Sequence, residues 1–430
     1  MLSQEENQLL TRVGPDTSMG KLLRQYWLPA LLSEELPERD GAPMRIRLLG
    51  EDLVAFRDSN GTVGVIQNNC PHRGASLFFG RNEESGIRCV YHGWKFAADG
   101  TCVDMPNEPA ESDFKHKVRA NAYPTQERGG VIWAYMGPRA DPPPLPDLEW
   151  MAVPAPNRVM SKTLRECNWV QALEGDIDTA HLYFLHSRLA TPDTAYVADD
   201  PGVFHEDRHP RLHLVRTDYG LMYGAQRDHD PAHYYWRISQ FMMPFYTLFP
   251  PGGLQGVPGH MWVPIDDEHT MVWFLIWNPA GAAGSVEHGL FGADPAAYLP
   301  NSSQPLEQWR YVANRTNDYH IDRSVQRTKT YTGIPTIPLQ DQSITESMGP
   351  IYDRSQEHLG STDAMIIQMR RRLLDAAHSF GEEGITPPGV DHPEQYRVRT
   401  ASVVLDRGAD WQAATQEMLK AFTELPVANA

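Results

Sequence analysis

The chain has 430 residues, 41% of them hydrophobic and 22% charged, enough for two to three domains and for a sizeable core without disulfide support. Its 38 Lys and Arg against 55 Asp and Glu leave a net charge of −17, which opposes general attraction to nucleic acid or to an anionic membrane. Four cysteines (Cys70, Cys89, Cys102, Cys167) are too few and too scattered for a disulfide scaffold or a plant-type ferredoxin cluster, so the 17 histidines are the better source of ligands.

The acidic start, Met1 to Glu6, has neither signal-peptide nor transit-peptide character. The longest apolar run, Met271–Trp277, is too short to span a bilayer, and a soluble cytoplasmic protein is expected.

In chain order, Leu9, Leu10, Val13, Met19, Leu22, Leu23 and Tyr26 recur at three- and four-residue steps and predict helix over the first 35 residues, with 1–40 set apart as an N-terminal helical segment. Residues 41–140 read as a small all-β domain. Leu53–Phe56 and Val63–Ile66 flank Ser59-Asn60-Gly61 as a hairpin, Cys89–Phe96 and Thr101–Val103 flank Asp99-Gly100 as another, and Gly130–Met136 closes the domain as a strand. Residues 141–156, with Pro142-Pro-Pro-Leu-Pro146, form a linker. The larger domain, 157–430, is expected to hold a helix over Asn168–Leu185, strands between His213 and Trp277, and helices over Thr362–Leu374 and Trp411–Leu425. The order predicts an α+β protein.

Two constellations carry chemistry. Cys70-Pro-His72 and Cys89-Val-Tyr-His92 place one thiol and one imidazole in each of two turn-rich loops. The set suits tetrahedral zinc or a Rieske cluster, in which one iron takes two Cys and the other two His. Mixed ligand pairs favour the cluster, since zinc sites group like ligands, and Gly74 and Gly93 let the backbone curl beside the ligands.

The second constellation is Asp178-x2-His181-x4-His186. Asp178 and His181 share a helical face, but His181 and His186, five apart, can meet at one metal only if the helix ends or bulges between them. Two His and one carboxylate hold non-heme Fe(II) with open positions. Taken alone, two histidines at this spacing also suit unrelated positions. The third ligand has to come from far away, from Asp318, Asp322, Asp341, Asp353 or Asp363.

Cys70-Pro-His-Arg-Gly-Ala75 with Cys89-Val-Tyr-His-Gly-Trp94 resembles the Rieske domain of ring-hydroxylating oxygenases, and the Asp178–His186 segment resembles their catalytic domain. Ala75 and Tyr91 stand where respiratory Rieske proteins carry two bridging cysteines. Trp262–Asp267 and Gly349–Gly360 resemble the phthalate-dioxygenase-like branch. The resemblance implies a small Rieske domain followed by a helix-grip-like catalytic domain with an antiparallel sheet and flanking helices. It implies a [2Fe-2S] cluster on Cys70, His72, Cys89 and His92, and Fe(II) on His181 and His186. The segment Pro338-Leu-Gln-Asp341 up to Glu346 points to Asp341 as third ligand. Asp178 becomes an electron bridge between centres of neighbouring subunits, in a homotrimer or a dimer of trimers.

The absence of a Gly-x-Gly-x-x-Gly fingerprint implies a separate NAD(P)H-dependent reductase as partner. The expected activity is O₂-dependent hydroxylation of an aromatic substrate, preferably a carboxylate, by mono- or cis-dihydroxylation. O-demethylation on the same iron, a pure electron carrier and a zinc-stabilised binding protein are the alternatives. Thr179, Leu185, Met243 and Phe245 are candidate substrate contacts, as part of a pocket drawn from Met242–Pro250 and His260–Trp262. Arg208, Arg211, Arg216 and Arg237 are candidates for binding a substrate carboxylate.

Overall fold

The computed structural model describes residues 1–109, 111–187, 189, 207–250, 256–283 and 297–421. It forms two compact units. The smaller comprises Val13–Pro143 with Asn301–Gln308, and the larger comprises Met1–Arg12, Pro144–Pro300 and Trp309–Ala430.

In the smaller unit a short helix α2 (Ser18–Leu23; α1, Gln4–Thr11, belongs to the larger unit) leads into β1 (Trp27–Leu32). The expected helix stops short because Pro29 cannot donate within it; the six residues are buried and pair instead with β11 (Val131–Tyr135) as an edge strand with a bulge at Pro29/Leu31. β10 (Thr125–Arg128) completes that sheet. A second sheet runs β2 (Met44–Leu48), β3 (Glu51–Arg57), β4 (Val63–Gln67) and β9 (Ala122–Tyr123), so the expected Leu53–Ile66 hairpin is present. A third, of short strands, runs β5 (Arg81–Asn82), β6 (Ile87–Arg88), β7 (Lys95–Phe96) and β8 (Cys102–Asp104). Val54, Phe56, Ile66, Leu77, Ile87, Trp94 and Phe96 form one core that also encloses Cys70, Cys89 and Cys102.

The larger unit is an antiparallel sheet in the order β12 (Arg158–Arg165), β18 (Thr270–Trp277), β17 (Val257–Pro264), β16 (Tyr246–Leu248), β15 (His233–Met242), β14 (Gly220–Asp228), β13 (Arg211–Arg216). An eighth strand, β19 (Ala401–Asp406), pairs with the first six residues of β15, while β16 takes its last three. One face of this sheet packs Trp236 and Ile238 against Trp411 in α7 (Trp411–Thr415). That last helix is shorter than expected over its described part; 422–425 lie outside the described residues. The other face meets α3 (Trp169–Ile177), where Asp176 contacts Thr247 and His260. Further helices are α4 (Arg323–Thr328), α5 (Ile337–Ser347) and α6 (Ala364–Glu383). No helix among the described residues is long and apolar enough to cross a membrane.

Buried charges anchor α3. Glu174 accepts from Arg354 (3.1 and 3.2 Å) and from Arg370 Nε on α6 (2.6 Å), Arg370 also pairs with Glu357, and Arg354 donates to Asn7 on α1 (2.9 Å). Burial would raise the Glu174 carboxyl, but the two guanidiniums hold it below the usual range. Replacing Glu174 by Leu leaves two buried cations facing each other, and a loss of about 3–5 kcal/mol of stability is expected from urea unfolding. Because the folded pKa is depressed, this contribution is present in full above the unfolded value near 4.3 and fades as pH falls through the folded value.

Candidate metal centres

The two loops of the smaller unit are built alike. Cys70 N donates to Ala75 O and Gly74 N to Cys70 O; Cys89 N donates to Trp94 O and Gly93 N to Cys89 O, at 2.8 to 2.9 Å throughout. Gly74 and Gly93 both take left-handed φ (+75° and +79°), and a Cβ at Gly93 would meet Pro106 at 2.5 Å. The turns bring His72 and His92 together with ring centroids 4.4 Å apart. Trp94 stacks on His72 at 4.2 Å and is held by a 2.8 Å bond from its Nε1 to Asn107.

Burial pushes the Cys70 thiol up to about 11, and neighbouring Cys89 adds to the shift, so the thiols fit a cation that takes the place of their protons. His72 Nδ1 is buried with no hydrogen-bond partner, as suits a nitrogen reserved for metal. The four ligating atoms do not gather within 4.8 Å of one another, as they would around one tetrahedral zinc. Thiol lies by thiol and imidazole by imidazole, the order of a two-iron cluster. Cys102 and Cys167 are free and buried, and Cys102 packs in the same core as Cys70 and Cys89.

In the larger unit α3 starts on the Asn168 cap and ends at Ile177, earlier than the expected Leu185. Asp178 breaks it: its backbone is extended, Oδ1 accepts from Ala180 N (2.7 Å), and the chain turns into a single 3-10 turn, His181–Tyr183. The break brings both histidines to one point. His181 Nε2 and His186 Nε2 are 3.1 Å apart, and Asp341 Oδ1 lies 3.7 and 3.3 Å from them. Among the described residues this is the one group of three or more such ligating atoms within 4.8 Å of one another. Burial would raise the Asp341 carboxyl, but His186 and His181 draw it down to about 2. The anion is thus favoured where a cation would sit.

On the far side of the rings, His181 Nδ1 faces Asp178 Oδ2 at 3.4 Å, and His186 Nδ1 meets Gln340 Oε1 at 2.7 Å. Asp341 and Gln340 lie within α5, which the hydrophobic pattern does not reveal. The other acidic candidates do different work: Asp322 caps α4, Asp353 takes the Ser355 amide, Asp363 takes the Gly360 amide, and Asp318 sits in a left-handed turn.

Cross-strand register places Tyr223, Arg227, Tyr235, Arg237 and Ser239 on one sheet face, and Arg227 reaches the Thr179 carbonyl and hydroxyl at 2.9 and 3.0 Å. That face therefore looks onto the histidine segment. Arg227 and Arg237 are both buried, and burial together with the Arg237 charge lowers the Arg227 pKa. Further along the same face, His260 Nδ1 pairs with Asp176 at 3.0 Å, and Trp262 Nε1 donates to Thr247 at 2.8 Å.

Of the expected substrate contacts, Thr179 is buried at this face and Leu185 follows His181, its amide on the His181 carbonyl. Met243 and Phe245 are buried in the β15–β16 connection, with contacts to Tyr219, Tyr246 and Tyr396. Arg208, Arg211 and Arg216 are exposed, and Arg237 alone of the four is buried. Arg227, Asp176 and the contact of Gln340 with His186 are absent from the sequence-based expectations, which hold His260 only as pocket lining.

Residues 26–124 match the Rieske [2Fe-2S] domain family, and residues 134–426 match the LigXa C-terminal domain like family. The chain is 42% identical to the 3-chlorobenzoate-3,4-dioxygenase oxygenase subunit of Comamonas testosteroni, over 98% of this chain and 99% of that one. It is 40% identical to the phthalate 4,5-dioxygenase oxygenase subunit of Pseudomonas putida, over 96% and 94%. The fold resembles the crystal structure of dicamba monooxygenase bound to dicamba, with a TM-score of 0.57 at 18% identity over 84% of this chain and 99% of that one. The donor sets of both centres fit the iron that this family carries, and the chain belongs to the Rieske non-heme iron oxygenases as an oxygenase (α) subunit.

Proposed function

We propose that this oxygenase subunit oxidises an aromatic carboxylate by ring hydroxylation, with electrons supplied from NAD(P)H by a separate cytoplasmic reductase, and that it works as a homotrimer or a dimer of trimers. Cys70 and Cys89 would hold one iron of the [2Fe-2S] cluster and His72 and His92 the other, while His181, His186 and Asp341 would hold Fe(II). When bound, the ferrous ion supplies O₂ activation and the cluster supplies electrons.

The chain's own groups do the rest. Asp178 bonds the Ala180 amide through one oxygen and faces His181 with the other, which orients that ring and leaves carboxylate lone pairs for an imidazole of a second copy, the bridge between centres. The single observation that carries the substrate reading is the pair Arg227 and Arg237 on the sheet face opposite Thr179. Their mutual repulsion in a buried setting is relieved by a bound anion, and a planar guanidinium accepts a carboxylate in a forked geometry. Such a local cationic pocket is needed if an anionic substrate is to approach a chain of net charge −17. The two matched dioxygenase subunits are named for aromatic carboxylates, in line with this reading.

The test is reductase-coupled turnover of a panel of aromatic acids and their neutral amides, with product masses. Acids gaining one oxygen, or two oxygens and two hydrogens, support the reading. Formaldehyde from methoxylated acids would replace it by demethylation, and peroxide alone across the panel would contradict it. Arg237→Gln should raise KM for the accepted acid by about 10–100-fold, the worth of a charge-assisted hydrogen bond, with little effect on an amide that is turned over.

A further inference from the structure

We infer that Gln340 is a positioning residue that sets the metal-ligating tautomer of His186; the inference rests on the reading of His181, His186 and Asp341 as iron ligands. Gln340 is buried in α5 immediately before Asp341, and its Oε1 lies 2.7 Å from His186 Nδ1. A carboxamide can present oxygen or NH₂, and the far end decides which. Its Nε2 donates to the Ile334 carbonyl at 2.9 Å. A flipped amide would set its oxygen against that carbonyl, losing the Ile334 bond and leaving two acceptors facing each other. The oxygen therefore faces His186, the proton sits on Nδ1, and the Nε2 lone pair points to the place shared with His181 Nε2 and Asp341 Oδ1.

The two imidazoles are thereby held by unlike partners. His181 has the Asp178 carboxylate behind it, and His186 has a neutral amide. With Asp341, the two carboxylates balance the charge of a divalent ion in a site whose three ligand side chains are 7 to 26% exposed. A third carboxylate at position 340 would tilt that balance toward trivalent iron, while still accepting the Nδ1 proton.

The experiment titrates Fe(II) into protein stripped of mononuclear iron but retaining its cluster, and reads ferrous occupancy from the EPR signal of the nitric oxide adduct. Gln340→Leu is expected to weaken Fe(II) binding by about 10–100-fold, with the cluster EPR signal unchanged. Gln340→Glu should bind Fe(II) within a few-fold of the unmodified chain and, once loaded, oxidise to the ferric state at lower potential.

The folding control is Gln342→Leu. Gln342 is as deeply buried in α5 but bonds Glu346 at 2.7 Å rather than His186, so its loss should leave Fe(II) affinity unchanged. Equal losses in the two leucine variants, or no loss in Gln340→Leu, would overturn the role of Gln340. Failure of the unmodified chain to take up any third iron would instead overturn the ligand reading beneath it.

Discussion

Replacing Asp341 by Ala is expected to lower substrate oxidation by at least about 10³-fold, roughly 4 kcal/mol of barrier, while the visible and EPR spectra of the Rieske cluster stay as they are. Asp341 supplies the one anionic group of the three-residue cluster, and its oxygen sits 3.3 and 3.7 Å from the two imidazole nitrogens. Without it, two neutral nitrogens are left to hold a ferrous ion. The effect should be on kcat and on iron content together, and Asp341→Asn should restore little, since an amide oxygen carries no charge to offset the metal. Asp353→Ala is the matching control: that carboxylate is exposed, takes the Ser355 amide, and should leave turnover unchanged. Turnover above about a tenth of normal in Asp341→Ala would remove Asp341 from the ligand set.

Asp178→Asn should separate the two centres functionally without emptying either. A loss of about 10–100-fold in coupled turnover is expected, the range for carboxylates that back a metal-bound histidine, with both iron signals retained. The side chain keeps its shape, and an amide oxygen can still take the Ala180 amide at the Asp178 Oδ1 position, so the break after α3 is preserved. What is lost is the charge. Asp178 is held below the usual carboxylate range by His181 against the opposing effect of burial, and His181 in turn is raised by Asp178 despite its own desolvation. Cluster reduction by dithionite should be as fast as in the unmodified chain, whereas oxidation of the pre-reduced cluster in the presence of substrate and O₂ should slow. If both steps keep their rates, Asp178 only shapes the turn.

The candidate ligands that lie at short spacing were readable in the sequence. Cys70, His72, Cys89 and His92 lie in two local turns, and Asp178, His181 and His186 in one nine-residue stretch, so the chemistry shows before any fold is known. The helix drawn through that stretch runs too far because Leu173 and Ile177, and again Leu182 and Leu185, keep helical steps on either side of the break. The break comes from one side-chain oxygen taking the Ala180 amide, which periodicity cannot register.

α5 escaped for the opposite reason. Its buried positions are Leu339, Gln340, Gln342, Ser343, Thr345 and Glu346, so the face turned inward is polar and gives no apolar repeat. Asp341 was reached by resemblance alone, and Gln340, one residue away, only through the structure. Arg227 reads as a surface residue between Gln226 and Asp228, yet its register opposite Tyr235 turns it to the buried face over Thr179. Trp27–Leu32 was included in the helix by extending a spacing that ends at Tyr26, and Pro29 excludes it.

Oxygenase activity in this chain requires two distinct iron centres. Iron and acid-labile sulfide analysis of the reconstituted protein tests this most directly: about three iron atoms and two sulfides per chain are predicted, two of the irons in the cluster and one on His181, His186 and Asp341. Two irons with two sulfides would make the protein an electron carrier and would contradict the oxygenase reading of its larger unit.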